Sequence, residues 1–322
     1  MKMKAAVIEK TGTPDEIKIE KIDIPQISKN EVLVRIHAAS VNHVDTFVRS
    51  GAFKTKMKYP FVVGRDAVGE IEKIGENVHG FSIGQRVWTN SMGYDGRPGI
   101  TSEFSAIPAE RLFPNPEGVD ELQLLASVHS SATAEILLDD ILRVKSGNKI
   151  LIEGAGGHVG TKLVSIANIN GLTVSTTSNQ RDFDNLKNLG TTSTYDYSDP
   201  VSEIDENFDY IIDTSGKNGL QQNLDHLNQG GQIGLITAPS DDHFEFKVSD
   251  FYMNLKQIKG FVISHANISQ IQKAGMFLNQ YFGDNKLLDD DLLIKSLDDV
   301  KYAHISLENN QNHRQRIIIK IQ

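Results

Sequence analysis

Residues 149–169, KILIEGAGGHVGTKLVSIANI, change their period within a few positions. An apolar, β-branched run ends at Glu153. A turn of three glycines and an alanine comes next, and beyond it Val159, Leu163, Ile166 and Ala167 recur on one face of a helix. A strand that runs straight into a helix cannot form a hairpin with the next segment. It needs a crossover and a parallel neighbour. The chain supplies both: LTVSTTS, a helix near RDFDNLKNLG, FDYIIDTSG, a helix near LQQNLDHLN, and GGQIGLITAP. Such alternation builds right-handed β-α-β units, and the expected fold class is α/β with a doubly wound parallel sheet.

The flanks differ. Residues 1–122 are strand-rich, with KAAVIEK, EVLVRIHAASV, AVGEIEKIG and QRVWTN separated by glycine and proline. ELQLLASVHSSATAEILLDDI carries helical spacing over 121–141. After residue 262 come an amphipathic stretch, ISQIQKAGMFLNQYF, and a last strand, QRIIIKIQ, which most easily pairs with the first part. We therefore expect a first domain over 1–122, a nucleotide-binding domain over 123–262, and a return to the first domain over 263–322. A formal charge of −9 argues against an electrostatic nucleic-acid binder. The chain has no cysteine, hence no disulfide or thiolate metal site. The start, MKMKAAVIEKTG, is too short and too charged for a signal peptide. No apolar run approaches the roughly 20 residues that span a bilayer. A cytoplasmic protein is expected.

The turn reads Ala155-x-Gly157-x-x-Gly160, a variant of the dinucleotide fingerprint. Small residues let main-chain amides approach a pyrophosphate, and a helix N-terminus adds unpaired N–H groups. The candidate contacts are Ala155, Gly156, Gly157, His158, Val159 and Gly160. Glycine turns also join strands to helices for packing alone; the alternating elements on either side favour the cofactor reading. An NAD site places a carboxylate at the end of the second strand. Here that strand ends Thr176-Thr177-Ser178-Asn179, with Arg181 following. Hydroxyls and a guanidinium suit a 2′-phosphate. The expected cofactor is NADPH, with Thr177, Ser178 and Arg181 as contacts and Asp182 as the neighbour that opposes this.

AASVNHVDTFVRSG (38–51), YPFVVGRDAVGEIEKIGENVHGFSIGQRV (59–87), ILIEGAGGHVG, FDYIIDTSG and LNQGGQIGLITAP fall in one order along the chain. In that order they resemble the medium-chain dehydrogenase/reductase superfamily, specifically its zinc-free quinone oxidoreductase branch. The resemblance implies a partly open, barrel-like β catalytic domain of the GroES-like kind made from both chain ends, with a Rossmann domain between. It also implies a nicotinamide in the interdomain cleft and a homodimer. It assigns Asn42 to the nicotinamide as the catalytic amide and a cofactor contact. Thr133 is assigned near the same ring, Tyr197 near the adenosine phosphate, and Thr237 and Ala238 to the loop that meets the carboxamide. Asp45 is read as structural.

Zinc-dependent relatives have Cys where this chain has Asn42 and His where it has Arg65. A catalytic zinc needs about three protein ligands. His37, His43, His129 and His158 are not spaced as a set, so no metal is expected. Phe47 stands where some quinone reductases carry tyrosine, and Phe53 where another aromatic stands. These two are the candidate substrate-pocket residues, in an apolar wall. Ser131 and Gln85 also depart from the family pattern. The expected activity is zinc-independent, NADPH-dependent hydride transfer to a small quinone or α,β-unsaturated carbonyl. The alternatives are an enoyl-thioester or acryloyl-type reductase of the same fold, or a non-catalytic NADPH-binding protein.

Overall fold

Eight strands precede the first long helix: β1 (Lys2–Ile8), β2 (Lys18–Asp23), β3 (Glu31–Val41), β4 (Phe61–Val62), β5 (Asp66–Ile74), β6 (Arg86–Thr89), β7 (Phe104–Pro108) and β8 (Leu112–Pro114). The helix α1 (His43–Ser50) sits between β3 and β4, and α2 (Glu121–Ile136) comes after β8. This computed structural model describes residues 1–199 and 201–321. The chain divides into two units, Met1–His129 with Asn267–Gln322, and Ser130–Ala266.

In the first unit β3 is the organising strand. It pairs antiparallel with β5 along most of its length and with β7 at its start. Eight of its eleven positions are buried, with Glu31, Arg35 and His37 only partly so. Val32, Val34 and Ile36 join Ile71, Val87, Met92, Ile100 and Ile107 in one apolar cluster. A second, three-stranded sheet has the order β2-β1-β4.

The second unit holds β9 (Lys149–Glu153), β10 (Thr173–Ser178), β11 (Ser193–Asp196), β12 (Phe208–Asp213), β13 (Leu227–Leu235) and β14 (Gln257–Gly260). Between them lie α3 (His158–Ile169), α4 (Phe183–Asn188), α5 (Leu220–Asp225) and α6 (Val248–Met253). The sheet order is β11-β10-β9-β12-β13-β14, and every pairing is parallel. The chain starts in the middle of the sheet and works outward twice. The direction reverses between β9 and β12, which is where open parallel sheets bind ligands. Leu151, Phe208, Ile211 and Ile233 pack with Leu220 and Leu224 on one face.

The helix expected over 121–141 differs at its end. After Ile136 the chain makes a wider π-helical turn over Leu137–Leu142, closed by Arg143 at φ 55°. A π turn loosens the carbonyl ladder, and the Ile141 carbonyl accepts from Lys259 Nζ at 2.8 Å.

The closing part consists of α7 (Ile268–Gly283), β15 (Leu292–Ser296), α8 (Val300–Glu308) and β16 (Arg316–Lys320). The last strand pairs antiparallel with β3, Ile317 opposite Val41. Both chain ends thus build the first unit. Among the described residues no helix is long and apolar enough to cross a membrane.

Candidate active site

In the second unit the strand ends gather most of the residues singled out in the sequence. Gly157 precedes α3 in extended conformation, and with no side chain it cannot cap the helix. The first-turn N–H groups of His158, Val159 and Gly160 therefore have no intrahelical acceptor. Gly160 cannot be replaced in this geometry: a Cβ there would lie 2.7 Å from Ala155 Cα and from the Ala155 and Gly154 carbonyl oxygens. The turn is pinned from the next strand, Ala155 N–H donating to the Thr177 carbonyl at 3.0 Å. Ala155, Gly156, Gly157, His158, Val159 and Gly160 thus form a small-residue cradle beside the switch point, which suits a dinucleotide pyrophosphate.

Thr177 and Ser178 end β10 and are both buried. Thr177 Oγ1 accepts weakly from Gly154 N–H at 3.4 Å, and the Ser178 hydroxyl donates to the Asn179 carbonyl at 3.2 Å. Arg181 comes next on a short turn with its side chain 67% exposed and its Nε 3.9 Å from Asp182 Oδ1. Tyr197 is held against this strand end by its N–H, which donates to the Ser178 carbonyl at 2.9 Å. Its exposed ring has Lys217 Nζ 5.8 Å from the centroid. Thr237 and Ala238 come after β13, both exposed, and the Ala238 carbonyl abuts Gly216. Thr133 belongs to a different element, buried on α2.

Two carboxylates given no role in the sequence, although they lie within ILIEGAGGHVG and FDYIIDTSG, stand at the switch point itself. Glu153 ends β9 and Asp213 ends β12, as register partners. The Glu153 oxygens accept from Asn218 Nδ2 at 2.6 Å and Asn223 Nδ2 at 2.7 Å. Asp213 Oδ1 accepts from Ser215 N–H, Ser215 Oγ and Gly216 N–H. Burial, with Asp213 alongside, pushes the Glu153 carboxyl up to about 8 against the pull of its two amide donors. A lone acid closing the apolar run KILIE was the available signal.

In the first unit β3 delivers Asn42 to the start of α1. Asn42 N–H donates to Asp45 Oδ2 at 2.7 Å, and Asp45 N–H donates back to the Asn42 carbonyl at 2.9 Å. The Asn42 amide nitrogen donates to Ser40 Oγ at 3.1 Å and to Asp66 Oδ2 at 2.9 Å. Asp66 is fully buried and also meets His129 Nδ1 at 2.9 Å and Ser91 N–H at 2.8 Å. Burial alone would raise the Asp66 pKa, but His129, the Ser91 amide and Arg65 hold it below the usual range. Burial and the Asp66 charge push Asp45 up to about 7, against Arg65, the Asn42 amide and His129. Arg65 is itself fully buried, and among the described residues none of its three guanidinium nitrogens has a hydrogen-bond partner. Its Cζ lies 5.5 Å from the Tyr94 ring centroid. Phe53 stacks on Tyr94 with centroids 4.9 Å apart, while Phe47 is exposed in the middle of α1. Asn42 and Phe53 are thus tied into one polar-aromatic cluster, through Asp66, Arg65 and Tyr94. Of the last three only Arg65 was marked in the sequence.

Comparison with known proteins agrees with this architecture. Residues 28–117 match the family model Alcohol dehydrogenase GroES-like domain, and 159–279 match Zinc-binding dehydrogenase. A quinone oxidoreductase of Sus scrofa is 30% identical over 280 residues, covering 84% of this chain and 83% of the relative. A 2-haloacrylate reductase of Burkholderia sp is 32% identical over 239 residues, 70% of this chain and 71% of its own. The solved quinone oxidoreductase of Coxiella burnetii superposes with a TM-score of 0.82 at 25% identity, over all of both chains.

The zinc in the second family description does not fit the donor set here. Asn42 directs its amide nitrogen at Asp66 and Ser40. Arg65 is a cation, and no thiol exists in the chain. Among the described residues no three His, Asp or Glu side chains are grouped to hold a metal ion. The all-parallel nucleotide-binding sheet, the GroES-like unit built from both chain ends and these relatives place the chain in the medium-chain dehydrogenase/reductase superfamily, whose fold binds a nicotinamide cofactor, and within it in the quinone oxidoreductase branch.

Proposed function

We propose that this protein is a zinc-independent, NADPH-dependent oxidoreductase that reduces a small quinone or α,β-unsaturated carbonyl, acting as a cytoplasmic homodimer. The observation that carries the reading is the end of β10. It offers Thr177, Ser178 and Arg181 where an NAD site would offer a carboxylate, beside a glycine cradle that excludes any larger side chain at Gly160. NADPH, when bound, supplies a hydride. The N–H groups in the first turn of α3 would hold the pyrophosphate, and Arg181 and Tyr197 would hold the adenosine phosphate. Thr133, Thr237 and Ala238 are assigned to the nicotinamide end.

A quinone or enone suits a chain without a zinc ligand set, because the arriving electron pair drains onto the substrate's own carbonyl oxygen. That oxygen then needs a hydrogen-bond donor and a proton. Asn42 is the proposed donor: Asp66 fixes its amide, and the 3.1 Å bond to Ser40 is the one a reacting oxygen replaces. Phe47 and Phe53 supply the apolar wall. The 2-haloacrylate reductase relative supports an electron-poor C=C bond as an acceptor alongside a quinone.

Initial rates of NADPH oxidation with a p-quinone, a simple enone and an enoyl thioester test the reading. Turnover with the quinone or enone is expected. Turnover confined to the thioester moves the chain to the enoyl-reductase alternative. No turnover with any acceptor, despite tight NADPH binding, makes it a non-catalytic cofactor binder.

A further inference from the structure

A cavity of about 400 Å³ opens in the first unit between β1, β2, β4, β7 and the loop before Gly99. None of its lining residues belongs to the Asn42 cluster or is a candidate substrate contact. Its walls are mainly apolar, with Met3, Ile22, Tyr59, Pro60, Phe61 and Phe104 among them. Its size falls in the range of small-molecule sites. The wall is preformed: Gly99 comes so close to β4 that a Cβ there would lie 1.9 Å from the Val62 carbonyl oxygen.

Among the described residues, two polar groups in this lining are left without partners. Ser105 is 2% exposed, and its hydroxyl makes no hydrogen bond. Arg97 donates through Nη2 to the Ser91 carbonyl at 3.3 Å, but its buried Nε has no acceptor. A buried donor without an acceptor is costly, and a ligand oxygen would relieve it. Cations outnumber acids in the lining, with Lys58 and Arg97 against Asp23. Lys58 lines the cavity, while the acid that lines it, Asp23, is already paired with Lys2 at 3.1 Å. Behind Arg97 lie Arg65 and Arg111, which also hold guanidinium nitrogens without partners. Burial, then the charges of Arg111 and Arg65, push Arg97 down to about 10, against Asp95 and Tyr94.

We propose that this cavity is a second small-molecule site that binds an aromatic carboxylic acid. The carboxylate is taken by Arg97 Nε and Ser105 Oγ, and the ring lies against Tyr59, Phe61 and Phe104. The site is separate from the reaction proposed above and stands or falls without it.

Calorimetric titration of the full chain with 2-naphthoate, and with its neutral amide, tests this. The acid is expected to bind and the amide to bind at least 10-fold more weakly, with the acid's affinity unchanged by saturating NADPH. Arg97→Leu should weaken the acid about 10- to 150-fold, the loss of a charge-assisted hydrogen bond. Ser105→Ala, on β7, should weaken it about 5-fold. It serves as the readout if Arg97→Leu does not fold. Equal affinity for acid and amide, displacement by NADPH, or full affinity in the folded variants would overturn the proposal.

Discussion

Asn42 has two duties, and mutation separates them. Its amide supplies Asp66 with one of three donors in a buried cluster, so Asn42→Ala should destabilise the fold by about 1–3 kcal/mol. If it also serves the reacting oxygen, turnover falls by at least 10-fold while NADPH affinity stays within about 2-fold. Unchanged steady-state kinetics in a folded variant would leave Asn42 as a helix-start residue only. Arg181 makes a sharper residue-level case. Its side chain is largely exposed, and Asp182 stands 3.9 Å away, so solvent and the neighbouring acid both weaken it. Arg181→Ala is expected to weaken NADPH about 10-fold, the lower end for a charge-assisted bond, and to leave NADH unchanged. Equal losses for the two cofactors would show that this strand end does not select the phosphate. The sequence exposed these residues because motif spacing is local. It did not expose Asp66, His129 and Tyr94 as companions of Asn42, because they are 24, 87 and 52 positions away and meet it only through strand pairing and the packing of α2.

At the scale of elements, the turn between β9 and α3 carries the strongest constraint. Gly160→Ala would set a methyl group 2.7 Å from main-chain atoms of Ala155 and Gly154. We expect it to cost about 1–3 kcal/mol in urea unfolding and to abolish NADPH binding; a stable variant with normal affinity would contradict the cradle. Buried carboxyls also make stability depend on pH. A carboxyl whose folded pKa is raised contributes stability below its unfolded pKa and loses that contribution as pH rises through the folded value. Asp45 and Glu135, at about 7, and Glu153, at about 8, therefore make the fold less stable between about pH 4 and 8. In E153Q the new NH2 replaces an oxygen that accepts from Asn218 or Asn223, and a flip of the Asn223 amide presents Oδ1 to it in place of Nδ2. Its urea midpoint should fall less steeply over that range than the wild type's, and parallel profiles would remove Glu153 as a source. The long elements were legible because their periods are unbroken. The strands β2, β4, β7, β8, β11 and β15 were not: they are short or half-exposed, and β2 is the charged KIEKID. The helix α8 escaped although its start is marked, by a capping box of Ser296 and Asp299 ahead of the short acidic turn Leu297–Asp299.

For the whole molecule, β14 is the edge of the parallel sheet, and α6 and the turn after it expose Val248, Tyr252, Met253 and Leu255. Open strand edges and exposed apolar residues favour pairing with a second copy. Light scattering at micromolar concentration should give twice the 35.7 kDa chain mass, and Tyr252→Glu should return the monomer. A wild-type monomer would refute the homodimer. The central claim is that this chain transfers hydride from NADPH without zinc, and the most direct measurement is the rate of p-quinone reduction by protein stripped of metal and held in excess chelator. We expect NADPH to be consumed at the rate seen before stripping, with NADH a poorer donor. Activity lost on stripping and restored by zinc, or NADH used as well as NADPH, would contradict the account.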